Sequence, residues 1–155
     1  EIIKKPKLDP VEKEVVFNLW NSEYPVNLGF KVMSEMDNYL DTLAGLTFYL
    51  LKNALNQTEG WAMTFALKDE IWFAITIAHN VQGQGKGTFL LEKLKTDNDI
   101  ISGWVIDHKN DYKPNGEIYR SPLQFYQKND FEVFPEIRLE IPVLSALKIS
   151  WNKNK

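Results

Sequence analysis

The chain contains no cysteine and only two histidines, His79 and His108, among its 155 residues. The absence of cysteine excludes a thiolate nucleophile and a disulfide framework, and it removes the ligands of most structural zinc sites. Two histidines are too few for a metal centre built on imidazole, so we expect no metal. The formal net charge is −3. A nucleic-acid-binding domain normally carries a basic face, so this charge balance argues against nucleic acid as a partner.

Long apolar runs are missing as well. The longest run, residues 71–78, has eight residues, whereas a membrane-spanning helix needs about 20. The first ten residues lack the apolar segment of a signal peptide. Together with the lack of cysteine, these features predict a cytoplasmic protein without membrane contact. The chain length and an apolar content of 44% predict one globular domain over residues 1–155.

The first third of the sequence has the spacing of amphipathic helices. A helix capped by Asp9 is predicted to end at Tyr24-Pro25. A second helix is predicted to run from a Ser34 cap to about Leu43. A short edge strand, Ile2-Ile3, precedes both helices.

The rest of the sequence alternates between strand and helix patterns. Two runs of alternating large and small residues, 61–67 and 71–78, are joined by a short polar turn and predict an antiparallel hairpin. A short helix is predicted from a Ser121 cap with Pro122 at its first position. The order of all elements predicts a mixed sheet flanked by helices, of the α+β or α/β class. The other predicted strands lie at 46–50, 100–107, within 131–141 and at 146–151.

The most informative segment joins a buried strand to an amphipathic helix and carries three alternating glycines, Gly83, Gly85 and Gly87. Glycine allows another molecule to approach the backbone closely, and several amide N–H groups converge at the start of the helix. The positive end of the helix dipole adds to their effect. Lys86 can supply a full positive charge beside them. We therefore predict that this loop holds phosphate oxygens.

The glycine spacing excludes two common nucleotide-binding loops. The Walker pattern requires Ser or Thr after Gly-Lys, but Gly87 follows Gly85-Lys86. The dinucleotide pattern GxGxxG fails because the three glycines are spaced by two throughout. An unrelated nucleotide-binding α/β domain is therefore a disfavoured alternative, which specific binding of ATP or NAD would support.

One pattern does fit. Gln82, Gly85 and Gly87 form the sequence Q-x-x-G-x-G directly after a predicted strand. It resembles the pyrophosphate-binding motif of the GCN5-related N-acetyltransferase (GNAT) superfamily.

A second segment, about 40 residues further on, resembles the F-Y-x-K-x-G-F segment of the same superfamily. Phe125, Tyr126, Lys128 and Phe131 match it by residue type. Asp130 stands where the family usually has glycine, and Asp adopts the left-handed conformation more readily than most residues. The two motifs, in this order and at this distance, form a strong resemblance that covers the whole chain.

The resemblance implies an α+β fold with a mixed, mostly antiparallel sheet of about six to seven strands flanked by four helices. It also implies acetyl-CoA as cosubstrate, with its pantetheine arm paired to the exposed edge of the strand at 71–78. The pyrophosphate would rest on backbone amides between Gln82 and Thr88. The implied cofactor-binding residues are Ile75, Ile77, Gln82, Gly83, Gln84, Gly85, Lys86, Gly87, Thr88 and Phe125.

The resemblance further implies direct transfer of the acetyl group to an amine in a ternary complex, which needs no enzyme nucleophile. Tyr126 matches the tyrosine that often protonates the departing CoA thiolate, and a backbone amide near Ile77 would stabilise the oxyanion. A general base is also required. Its candidates, unranked, are His79, Glu70, Asp107 and His108.

Other interpretations remain open at this stage. A non-catalytic acyl-CoA-binding or regulatory module would keep the same fold and loop. Tyr126 could instead be a core aromatic residue, which is the usual role of a lone tyrosine on a helix. The terminal strands offer a surface for pairing in a homodimer, although an apolar strand inside the sheet has the same pattern. The sequence does not identify the acceptor amine.

Overall fold

The computed structural model describes residues 1–155. Seven strands form one sheet in the order β1-β2-β3-β4-β5-β7-β6, and all neighbours are antiparallel except β4 and β5. This mixed sheet with four α-helices confirms the predicted fold class. No helix is long and apolar enough to cross a membrane. The elements in chain order are β1 (Ile2–Lys5), α1 (Pro10–Glu23), α2 (Met33–Asp41), β2 (Ala44–Lys52), β3 (Thr58–Leu67), β4 (Glu70–Ile77), α3 (Lys86–Asp97), β5 (Ile100–Val105), α4 (Leu123–Lys128), β6 (Glu132–Ile141) and β7 (Leu144–Asn152).

Helix α1 begins with a reciprocal pair of hydrogen bonds. The Glu12 N–H donates to Asp9 Oδ1 at 2.8 Å, and the Asp9 N–H donates to Glu12 Oε1 at 2.8 Å. Two of the free first-turn N–H groups are satisfied in this way, which is why the helix starts where the sequence predicts.

The other two predicted caps are wrong. Helix α2 begins at Met33, so Ser34 lies inside the helix and caps nothing. Helix α4 begins at Leu123, because the backbone of Pro122 (φ −84°, ψ 15°) lies outside the helical region. Ser121 still contributes locally, since the Leu123 N–H donates to its Oγ at 3.2 Å.

The hairpin β3–β4 divides its large side chains between the two faces of the sheet. Residues opposite each other on paired strands share a face, and in most opposed pairs of this hairpin a large residue meets a small one; Phe65 opposite Trp72 joins two large residues. Strand β3 therefore supplies large residues to the α1/α2 side, and β4 supplies them to the α3/α4 side. The opposed pairs include Trp61 with Thr76, Met63 with Ala74, Phe73 with Thr64, and Ile75 with Ala62.

Strands β4 and β5 separate towards their ends. Their parallel register contains the single pair Trp72 and Ser102, although both strands continue beyond it. The Phe73 ring lies against Gly103 of β5, where an added Cβ would be 2.9 Å from the ring. The ring thus packs over β5, and the β4 edge is open from about Ile75 onward.

The turn between α4 and β6 contains a residue in the left-handed region. Asp130 has a φ of 70°, as predicted for the residue that stands in place of glycine. We expect Asp130→Ala to lower the free energy of unfolding by about 1 kcal/mol, because the Cβ of alanine clashes with the backbone in the left-handed conformation and its side chain forms no compensating hydrogen bond. Asp130→Gly, which avoids that cost, is the matched comparison in urea denaturation. An alanine variant as stable as the glycine variant would contradict this account.

Candidate functional site

A cleft of about 2050 Å³ lies where β4 and β5 separate. The end of α1, the second half of β4, the glycine loop, the loop 108–120 and helix α4 all contribute to its walls. The two motifs found in the sequence therefore border the same cleft.

The glycine loop presents a row of free backbone donors. Six consecutive N–H groups, from Gly83 to Thr88, donate to no other group of the protein, and the first intrahelical bond of α3 is that of Phe89 to Gly85. Gly83 (φ 79°) and Gly85 (φ 78°) adopt the left-handed conformation that turns the chain into the helix. Unpaired amides at a helix start bind anions well.

Gly87 and Phe125 join the two motifs physically. A Cβ on Gly87 would lie 3.1 Å from Phe125 Cζ, so only glycine leaves the ring this close to α3. Phe125 in turn packs edge-on against Tyr126, with ring centroids 5.1 Å apart. The glycine at this position therefore serves packing rather than a special backbone angle.

Two polar side chains of the loop, those of Lys86 and Gln82, are already engaged. Lys86 Nζ lies 3.2 Å from Glu59 Oε2. Gln82 Nε2 donates to the Ile77 carbonyl at 2.8 Å and to Glu23 Oε1 at 3.1 Å. Gln84 is exposed. The free donors of this loop are therefore its backbone amides rather than its lysine.

The β4 edge presents backbone groups to the cleft. The Ala78 N–H donates to Glu59 on the β3 side at 2.8 Å, so by strand alternation the backbone groups of Ile75 and Ile77 point the other way. Side chains from outside the sheet reach these carbonyls: the Tyr24 hydroxyl donates to Ile75 at 3.4 Å, and Gln82 donates to Ile77. The N–H groups of both isoleucines face the same open side.

Tyr126 is 7% exposed and packs against Phe73 and Phe131, at centroid distances of 5.8 Å and 5.3 Å. Tyr126 borders the cleft, and its hydroxyl has no hydrogen-bond partner in the protein. Burial, together with the nearby hydroxyls of Tyr24 and Tyr119, raises the pKa of Tyr126 well above its usual range. The group is therefore a neutral proton donor at physiological pH.

The four candidate bases differ in their position relative to the cleft and in their ionic partners. Glu70 lies at the opposite end of β4 from Ile77 and accepts two bonds from Lys148, at 2.9 Å and 3.2 Å, so its assignment as a candidate is wrong. Asp107 borders the cleft, but the Arg138 guanidinium binds both its oxygens at 2.9 Å and lowers the pKa of that carboxyl. His79 and His108 border the cleft without a strong ionic partner.

The sequence analysis did not predict two residues that line the cleft, Tyr24 and Glu23. Tyr24 was interpreted only as the end of a helix, yet burial raises the pKa of its hydroxyl to about 12 and it reaches the β4 edge. Glu23, the last residue of α1, carries the carboxylate nearest to Gln82. Neither residue belongs to a motif, so no local signal marks them. No group of three or more His, Cys, Asp or Glu residues in the protein could hold a metal ion.

Neither a family model nor a curated protein matches the amino-acid sequence. Solved structures do match. A variant of the spermidine N-acetyltransferase of Vibrio cholerae is 13% identical with a TM-score of 0.71, and the match covers 100% of this chain and 96% of that one. A ribosomal-protein-alanine N-acetyltransferase of Brucella melitensis is 11% identical with a TM-score of 0.66, covering 97% and 99%.

A third similar structure is a GNAT-superfamily phosphinothricin acetyltransferase of Sinorhizobium meliloti, solved in complex with acetyl-CoA. It is 12% identical with a TM-score of 0.66, and the match covers 97% of this chain and 88% of that one. Together with the seven-stranded sheet and its parallel β4–β5 pair, these matches confirm that the chain has the GNAT fold.

Proposed function

We propose that the protein is an N-acetyltransferase that moves an acetyl group from acetyl-CoA to a primary amine, by direct transfer in a ternary complex. The six unpaired amides from Gly83 to Thr88 carry this proposal. They form a donor array of the kind that holds a pyrophosphate, and the resemblance and the fold agree on that ligand.

The β4 edge supports the same cosubstrate. Pantetheine contains two amide groups. The free N–H groups of Ile75 and Ile77, together with their carbonyls, which Tyr24 and Gln82 contact from outside the sheet, match these amides as a neighbouring strand would. Gly87 of the glycine loop lies against both Phe125 and the Ile77 side chain, so the loop adjoins this edge. In this arrangement the thioester lies at the opening between β4 and β5, where Tyr126 also lies.

The chemistry then follows from these positions. The amine nitrogen forms a bond to the thioester carbon, and a β4 backbone N–H stabilises the oxyanion. The C–S bond breaks as the thiolate takes the proton of the Tyr126 hydroxyl, and tyrosinate regains a proton from the tetrahedral nitrogen.

The wild-type protein provides the first test. We expect acetyl-CoA and CoA to raise the midpoint of thermal unfolding by several degrees, and ATP and NAD to leave it unchanged. We also expect a panel of primary amines to trigger CoA release, followed with a thiol reagent. Stabilisation without release by any amine would favour a non-catalytic acyl-CoA-binding module, and no stabilisation would reject both.

A further inference from the structure

Glu23 lies where three separate parts of the cleft meet. Its Oε1 accepts from Gln82 Nε2 at 3.1 Å and from Lys113 Nζ at 3.2 Å, while the Ser22 hydroxyl donates to its Oε2 at 3.2 Å. The side chains of Glu23 and Lys113 are 10% and 12% exposed, so this ion pair is shielded from bulk water.

The Gln82 amide bridges this carboxylate to the β4 edge. The same Nε2 atom donates to Glu23 at 3.1 Å and to the Ile77 carbonyl at 2.8 Å. The distance between Glu23 Oε1 and the Ile77 carbonyl oxygen is therefore at most the sum of these two hydrogen-bond lengths. Among the carboxylates of the cleft, Asp107 is held on both oxygens by Arg138, and Glu117 is exposed at the tip of its loop.

The Lys113 side chain shows what this carboxylate can hold. Its Nζ is a primary ammonium carried on a flexible aliphatic chain, seated in a cleft proposed to receive a primary amine. An ammonium of the acceptor has the same size, charge and hydrogen-bonding capacity. The free protein thus contains an internal ammonium at a position next to the β4 edge.

We infer that Glu23 is the catalytic residue that binds the acceptor ammonium and removes its proton, in competition with Lys113. This inference rests on the proposed function. The ammonium proton passes to a Glu23 oxygen and from there to bulk water. The neutral amine then attacks the thioester carbon, and the second amine proton replaces the one that Tyr126 gives to the thiolate. No further reactant is needed for this balance.

Lys113, from the loop 108–120, is the one charged side chain in contact with the Glu23 carboxylate. The competition for this carboxylate is therefore between the acceptor ammonium and the Lys113 ammonium.

Two substitutions with opposite expected effects test the inference. Glu23→Gln keeps the size of the side chain but accepts no proton, so kcat/KM should fall by about 100-fold. Lys113→Met removes the competing ammonium, so KM for the amine should decrease. Lys113→Arg retains a cation and is the matched control, with KM close to that of the wild type.

A purely structural ion pair would respond differently, because both substitutions break it. A rise in KM in Lys113→Met, parallel to the loss in Glu23→Gln, would overturn the inference. Calorimetric titration of the CoA-loaded protein with n-butylamine gives a readout without turnover. We expect tighter binding in Lys113→Met and no binding in Glu23→Gln, and the reverse order would also overturn the inference. Thermal stabilisation by acetyl-CoA should persist in both variants, so its absence in the wild type would instead refute the proposed function.

Discussion

Replacing Gly85 with glutamate should abolish the stabilisation of the protein by acetyl-CoA and by CoA. The substitution places a negative charge at the start of α3, among the six amides that we assign to the pyrophosphate. It also forces a residue with a Cβ into a φ of 78°. At 100 times its dissociation constant a ligand stabilises the native state by about 2.7 kcal/mol. That entire contribution should be lost.

Gly116→Glu is the matched control for this loss. Gly116 also has a positive φ, of 88°, and its Cβ position is equally free of neighbours, but it lies in the loop 108–120. Both variants should therefore lose similar intrinsic stability to backbone strain. Differential scanning fluorimetry with and without acetyl-CoA separates the two effects. An undiminished shift in Gly85→Glu would show that the cosubstrate binds elsewhere.

Tyr126→Phe should lower kcat by 100-fold or more while leaving acetyl-CoA binding intact. General acid catalysis typically contributes about 100- to 10,000-fold, and only the hydroxyl is removed. The ring contacts with Phe73 and Phe131 remain, and the hydroxyl forms no hydrogen bond in the protein. The stability of the variant should therefore match that of the wild type. Single-turnover measurements with saturating acetyl-CoA report the chemical step directly.

The comparison variant for Tyr126 is Tyr112→Phe. Tyr112 is an exposed tyrosine in the loop 108–120 and contributes no side chain to the cleft wall. Its substitution should leave kcat unchanged. If Tyr126→Phe also kept kcat within a factor of three, Tyr126 would be a core aromatic residue and the proton donor would have to be sought elsewhere, with Tyr24 the nearest hydroxyl to the β4 edge.

Features of the fold that depend on neighbouring residues in the chain were predictable. The cap at Asp9 depends on a residue three positions away, and the left-handed Asp130 follows from one residue type at a helix end. Ser34 shows the limit of this reasoning. A serine three residues before an acidic residue, as Ser34 is before Asp37, fits a cap pattern. The helix begins one residue earlier, at Met33, because the extended backbone ends at Val32.

The candidate site was predictable where it is built from consecutive residues. The amides from Gly83 to Thr88 follow from glycine spacing and a helix start, both visible in the sequence. The ion pair of Glu23 was not predictable, because its partners Gln82 and Lys113 lie 59 and 90 positions away. Glu70 was included among the candidate bases for a related reason. The sequence shows that it lies at one end of a strand, but it does not show which end of the strand opens onto the cleft.

The cosubstrate contacts proposed for β4 and the glycine loop are made by the main chain. A carbonyl or N–H of Ile75 would remain in place if the residue were valine or leucine, since the strand rather than the side chain orients it. Apart from the glycines, this surface therefore requires a particular backbone conformation more than particular residue types. Such a surface can be kept while most side chains change, and the similar structures share their architecture with this chain at only 11–14% identity.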